Sequence, residues 1–258
     1  MPSEDVPKMP FRQLPGRPKV VLPEWPLAGK KEEVTYTLNL CRGVPQNCAH
    51  DEAKLNDLVE NFETRDNDVF VCTYVKSGTT WTQQIINLLR HKGEQPGVTY
   101  AEAVPWLEVA TFGGMLAERE ATNWTLDKVV ANPEQRFFKT HANQKDLPCG
   151  KASGAKVIYV CRNPKDVCVS LQHHATNKPL FDYKGDFGDM LRFFAEGRCE
   201  NGSWFDHVLE WYRVSKADPE HVIFLRYEDI LADPPTHIKQ IADFVGIETT
   251  PEIIEKVV

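Results

Sequence analysis

Asp68-Val69-Phe70-Val71-Cys72-Thr73-Tyr74 runs directly into Val75-Lys76-Ser77-Gly78-Thr79-Thr80-Trp81. The first seven residues read as a buried strand, since an apolar run rich in β-branched and aromatic side chains suits a strand covered on both faces. Ser77-Gly78-Thr79 is a turn of small residues. Beyond it Trp81, Ile85, Leu88 and Leu89 recur at i, i+4, i+7 and i+8, one face of a helix. A strand, a small-residue turn and a helix make an anion cradle: the turn aims backbone N–H groups at one point, and the helix N-terminus adds partial positive charge. Lys76 brings a full charge, Ser77, Thr79 and Thr80 bring hydroxyls, and Gly78 lets the backbone approach a phosphate. The same residues also suit a plain strand-to-helix turn, because helix N-termini commonly use Ser and Thr. A Walker A loop is excluded: it places lysine after its second glycine, whereas Lys76 precedes the loop's only glycine.

Strands and helices alternate outward from this unit. Ala53 to Phe62 reads as a helix. Arg136-Phe137-Phe138-Lys139 and Lys156-Val157-Ile158-Tyr159-Val160-Cys161 read as strands, and Asn163 is the expected N-cap of a helix opened by Pro164. Trp204, Val208, Trp211 and Tyr212 mark a further helical face, His221 to Arg226 a strand, and Ile238, Ile241, Ala242 and Val245 a helix after Asp233-Pro234-Pro235. The expected fold class is α/β, a single domain over residues 31–258 with a central parallel sheet flanked by helices. Ligands in such folds bind at the carboxyl ends of the strands, which places the loops after Tyr74, Lys139 and Cys161 at one rim. Residues 1–30 hold seven prolines and read as an extended or disordered arm.

Composition narrows the field. With 41% hydrophobic and 26% charged residues over 258 positions, the chain can bury a core without metals or disulfides. A net charge of −7 argues against a nucleic-acid partner. Cysteines at 41, 48, 72, 149, 161, 168 and 199 form no C-x-x-C pair and suit a reducing compartment; Cys72 and Cys161, inside apolar runs, read as buried thiols. The N-terminus lacks an apolar signal region and no run is long enough to span a bilayer. Cytoplasm is the expected location, with no membrane partner. No compact His/Cys/Asp/Glu cluster has metal-ligand spacing.

A second strand–turn–helix unit carries Arg162-Asn163-Pro164-Lys165-Asp166-Val167-Cys168-Val169-Ser170. Arg162 stands where the strand ends, and its planar fork suits a phosphate; a salt-bridging surface arginine and an ordinary helix serine fit the same positions. Between the units lies Lys139-Thr140-His141. Taken alone a histidine is more often a core or surface residue than a base.

Together these segments resemble the cytosolic sulfotransferase family. Its donor loop is Y-P-K-S-G-T-T-W, matched here by 74–81 except for Val75, and it carries R-N-P-K-D-V-x-V-S and K-T-H in the same order. The resemblance implies a P-loop-like sulfotransferase fold and 3′-phosphoadenosine 5′-phosphosulfate (PAPS) as co-substrate, with no metal. Lys76, Ser77, Gly78, Thr79 and Thr80 would hold its 5′-phosphosulfate, Trp81 would stack on adenine, Arg162 and Ser170 would bind the 3′-phosphate, and Tyr227 of Arg226-Tyr227-Glu228-Asp229 would contact the adenine end. His141 would take the acceptor proton, a task suited to an ordinary pKa near 6.5, with Lys76 and Lys139 stabilising charge on the transferred group. Ala142-Asn143 replaces the family's L-P after K-T-H, a change that touches the acceptor pocket. Gly202-Ser203-Trp204-Phe205-Asp206-His207-Val208 resembles the family's G-S-W-x-x-H-V helix start, a structural match more than a chemical one.

The acceptor is a small molecule whose nucleophile, phenol, alcohol or amine, stays open. Trp106 of Val104-Pro105-Trp106-Leu107-Glu108 is the expected pocket wall. His174, where many relatives carry phenylalanine, is either a polar pocket residue or, with His173, a solvated pair. The family's R-K-G-x-x-G-D-W segment and its dimerisation segment are not found before Val258, so the domain is expected to be C-terminally incomplete and homodimerisation stays open. An active sulfotransferase, a non-catalytic PAPS-binding protein and a P-loop kinase are the competing functions, the last disfavoured by the missing Walker A loop.

Overall fold

The computed structural model describes residues 12–13, 20–21, 34–112, 131–148 and 154–258. Strands β1 (Arg12–Gln13), β2 (Val20–Val21), β3 (Thr37–Cys41) and β4 (Val44–Asn47) form an antiparallel sheet in that order. Arg42 and Gly43, with φ of 51° and 77°, join β3 to β4, the left-handed pair a two-residue hairpin demands. Of the proline-rich arm only β1 and β2 are described; its remaining residues and Cys149 lie outside the described residues.

Helix α1 (Glu52–Asn61) leads to β5 (Val69–Thr73), buried at every position. It is followed by α2 (Thr79–Arg90), the short α3 (Tyr100–Ala103), β6 (Phe137–Thr140), β7 (Lys156–Cys161) and α4 (Pro164–Asn177). Helices α5 (Phe187–Ala195) and α6 (Trp204–Ala217) precede β8 (Val222–Arg226), and α7 (Tyr227–Ala232), α8 (Pro234–Val245) and α9 (Pro251–Val257) follow it. The second sheet runs β6-β5-β7-β8, parallel throughout, which bears out the expected α/β class.

Side chains on a strand alternate between faces, and the core divides accordingly. Val69, Val71, Ile158 and Val160 pack with α2, α7, α8 and α9, while Phe70, Cys72, Val157 and Tyr159 pack with α1 and α6. Each fully buried Ile or Leu on α2 contributes roughly 1.5–3 kcal/mol. A third cluster joins the β3 strand to α4 and α5.

Several local expectations shift. The strand expected at 136–139 lies at Phe137–Thr140, because Arg136 turns into a buried pair with Asp68 (2.7 Å from Nε to Oδ1) at the strand entrance. The inward centre of α2 is Thr82, Ile85, Ile86 and Leu89, with Trp81 and Leu88 only partly buried at its edge. Helix α6 buries His207, Trp211 and Ser215 instead of the face through Tyr212; His207 is drawn inward by hydrogen bonds to Tyr159 and the carbonyl of His141. Cys161 is half-buried, not buried, since it sits at the rim where β7 ends. Among the described residues no helix is long and apolar enough to cross a membrane.

Candidate active site

The parallel register brings Thr73, Thr140 and Cys161 to one edge, because Cys72 pairs with Thr140 and Thr73 with Val160. The loop after β5 is tight: Ser77 N–H donates to the Tyr74 carbonyl at 3.2 Å, and Lys76 and Gly78 take φ of 68° and 99°. Gly78 is required twice over. Its φ is left-handed, and a Cβ there would lie 2.6 Å from the Tyr227 ring. Gly78 caps α2 without a side-chain hydrogen bond, so the first N–H groups of that helix are not capped by its own N-cap side chain.

Arg162, at the end of β7, donates to the Lys76 carbonyl at 3.3 Å and lies 4.9 Å from the centre of the Tyr227 ring. Tyr227 also meets Trp81 edge-on at 5.2 Å. Five of the residues singled out from sequence, Lys76, Gly78, Trp81, Arg162 and Tyr227, therefore converge. Ser77 Oγ and Arg162 Nε are buried with no hydrogen-bond partner, a costly state for polar atoms that an anion would relieve. Thr79 points elsewhere: its hydroxyl lies 2.6 Å from that of Thr73. Thr80 is exposed and Ser170 half-buried on α4.

His141 follows β6 and is 7% exposed. Its Nδ1 lies 2.9 Å from the Thr73 carbonyl. A carbonyl only accepts, so Nδ1 carries the proton and Nε2 keeps its lone pair. Burial, then the nearby Lys139 charge, pushes the His141 pKa well below the ordinary range, opposed by the Thr73 carbonyl. Burial likewise lowers the pKa of Lys76, with Glu200 opposing. Trp106 meets the His141 ring edge-on at 5.8 Å, and the Lys139 ammonium lies 4.2 Å from the Trp106 ring centre. Backbone pairing sets this corner, since Lys139 N–H donates to the Pro105 carbonyl at 2.7 Å. His174 is placed against Phe181, at 5.3 Å, and Glu200, at 3.6 Å.

Two partners of His141 lie in segments singled out from sequence but were given no site role there. Glu108 Oε1 accepts from the Thr140 hydroxyl at 2.5 Å and from His141 N–H at 3.1 Å, and burial raises its pKa. A carboxylate directly after the apolar run Val104-Pro105-Trp106-Leu107 was the available signal. His207 Nε2 donates to the His141 carbonyl at 3.2 Å while its Nδ1 accepts from the Tyr159 hydroxyl at 2.8 Å. Among the described residues no group of three His, Cys, Asp or Glu could hold a metal ion.

The sulfotransferase domain family matches residues 66–258. Human sulfotransferase 1C2 is 31% identical over 204 residues, 78% of this chain and 66% of that protein; the chain thus spans just under two thirds of that relative's length. Mouse sulfotransferase SULT7A1, solved in complex with PAP, superposes with a TM-score of 0.70 at 28% identity, over 85% of this chain and 72% of that one. Retinol dehydratase, solved with retinol and PAP, gives 0.67 at 27% identity, over 87% and 72%. With the geometry of the loop at 74–81, the K-T-H corner and a family match that takes in both sheet-edge motifs, this chain belongs to the sulfotransferase family.

Proposed function

We propose that the protein transfers a sulfuryl group from PAPS to a hydroxyl or amine of a small-molecule acceptor, with His141 as general base. The observation that carries this is the hydrogen bond from His141 Nδ1 to the Thr73 carbonyl. It leaves Nε2 as a fixed acceptor beside the donor loop, and the depressed pKa keeps the ring neutral near pH 7.

The residues at the rim suit such a nucleotide. Lys76, Ser77 and the open N-terminus of α2 form one anion-binding element, and Arg162 with its unpartnered Nε forms another. Tyr227 under Arg162 and Trp81 edge-on to it offer aromatic surfaces for a base. PAPS, when bound, supplies an activated sulfuryl group, which forms a new S–O or S–N bond to the acceptor as the S–O bond to the phosphate breaks. His141 receives the acceptor's proton at Nε2. Lys76 and Lys139 offset negative charge on the peripheral and leaving oxygens, the main demand of this kind of transfer. Trp106 walls the acceptor side. The PAP seen in the SULT7A1 and retinol dehydratase complexes supports the choice of nucleotide. A cytoplasmic location accords with the free thiols of Cys41, Cys168 and Cys199.

Incubation with [35S]PAPS and a panel of phenols, alcohols and amines tests the proposal. Label appearing on an acceptor supports it. Stabilisation by PAP without label transfer identifies instead a binding protein that does not turn over.

A further inference from the structure

Between α5 and α6 the chain passes through Glu200 and Asn201, 3% and 5% exposed. Asn201 takes a φ of 68° and donates its amide to the His141 carbonyl at 3.3 Å and to Gln46 at 3.0 Å. This segment is therefore fastened to the base. Beside it, Glu200 Oε1 accepts from Asn47 Nδ2 at 3.2 Å. Glu200 Oε2 is buried without a hydrogen-bond donor, and His174 Nε2 stands 3.6 Å away, beyond hydrogen-bond range.

A buried carboxylate with one oxygen unsatisfied is costly. The charge of Glu200 acts on two groups of the site, favouring the protonated forms of Lys76 and His50 against the burial that lowers both. Lys76 belongs to the donor loop. His50 meets Trp106 edge-on at 5.6 Å, and Trp106 in turn meets His141. Glu200 thus lies within electrostatic reach of Lys76 and His50, next in the chain to the residue that holds the His141 carbonyl, and beside His174.

We infer that Glu200, with His174 beside it, selects the acceptor, and that the favoured class is a hydroxyl compound carrying a protonated amine. The inference rests on the sulfuryl-transfer reading. An ammonium brings three donors and a positive charge to Oε2; a neutral end leaves that oxygen unpaired, and a carboxylate adds repulsion. His174 Nε2 stands 3.6 Å from Oε2, and an ammonium bound there would displace it.

Three phenols that differ in one terminal group provide the test: tyramine, 4-propylphenol and 3-(4-hydroxyphenyl)propanoate. With the full chain and PAPS, kcat/KM for tyramine is expected to exceed that for 4-propylphenol by about tenfold or more, the propanoate being poorest. In Glu200→Gln that ratio falls toward one. A wild-type ratio at or below one overturns the inference, and this arm needs no variant to fold. An unchanged ratio in Glu200→Gln that retains PAP binding overturns it as well and leaves Glu200 as a counter-charge to Lys76. Calorimetry of the three compounds with the PAP-loaded chain separates the two readings. Tighter, Glu200-dependent binding of tyramine without sulfation of any compound supports the subsite and defeats the transfer proposal. Sulfation of the phenols with no ammonium preference does the reverse.

Discussion

The imidazole of His141 and the carbonyl of Thr73 meet across the neighbouring strands β5 and β6, with Nδ1 2.9 Å from the oxygen. The contact ties the tautomer of the candidate base to strand registry, because Thr73 ends β5 and His141 directly follows β6. Glu108 grips the same residue from the other side through its N–H at 3.1 Å.

His141→Ala is expected to lower turnover by on the order of 10²–10⁴-fold, the usual contribution of a positioned base, with little change in PAP affinity. Single-turnover kinetics beside calorimetric PAP binding checks this. Near-normal turnover in the variant would falsify the base assignment.

Arg162→Ala acts on donor affinity. It removes a guanidinium that touches both the Lys76 carbonyl and the Tyr227 ring. Losing a charge-assisted contact of about 1.5–3 kcal/mol weakens PAP binding by roughly 10- to 100-fold. Equal dissociation constants for wild type and variant would remove Arg162 from the donor site.

Glu108→Ala leaves the Thr140 hydroxyl and His141 N–H without their acceptor, each costing about 1–3 kcal/mol when buried. Both Tm and kcat are expected to fall. Glu108→Gln keeps an acceptor oxygen and restores most of each. If Gln is as damaging as Ala, the carboxylate's charge and not its hydrogen bonding is what the site uses.

Acid should weaken the fold through its buried histidines. His50 and His207 are both held down to about 4 by burial, and burial also lowers His141. Unfolded histidine titrates near 6.5, so between about 4 and 6.5 the unfolded chain binds more protons and stability rises with pH. The contribution is complete above about 6.5 and is lost as pH falls toward 4, amounting to about 3 kcal/mol for each of His50 and His207. Glu108, raised by burial, works in the opposite sense. Urea midpoints at pH 7.5 and pH 5 provide the comparison; an equal or higher midpoint at pH 5 contradicts it.

Asp68→Ala strands the Arg136 guanidinium, whose side chain is 1% exposed. Breaking such a buried pair costs about 3–5 kcal/mol. The expected result is a large fall in thermal midpoint, since the pair closes the entrance of β5 and β6.

Much of the fold could be read locally. Strand β7 begins and ends where its apolar run does, and the Asn163 side chain accepts from Lys165 N–H at 3.0 Å as an N-cap should. The β6 boundary was less legible, because Arg136 looks like a strand residue until its long-range partner Asp68 is known. The inward turn of α6 was hidden for the same reason: His207 is polar, and only its bonds to Tyr159 and His141 make burial favourable.

The candidate site divides the same way. Lys76, Gly78, Arg162 and His141 stand out in sequence because the proposed phosphate cradle and base would impose residue types at short spacing. The convergence of Lys76, Gly78 and Arg162 on Tyr227, the tautomer of His141, and the buried carboxylates Glu108 and Glu200 do not. Sequence alone determined a strand–turn–helix unit repeated around a parallel sheet, since periodicity and capping act within a few residues. Only the tertiary structure decided which distant side chains meet at the sheet edge, because burial, hydrogen-bond satisfaction and pKa depend on neighbours far away in the chain.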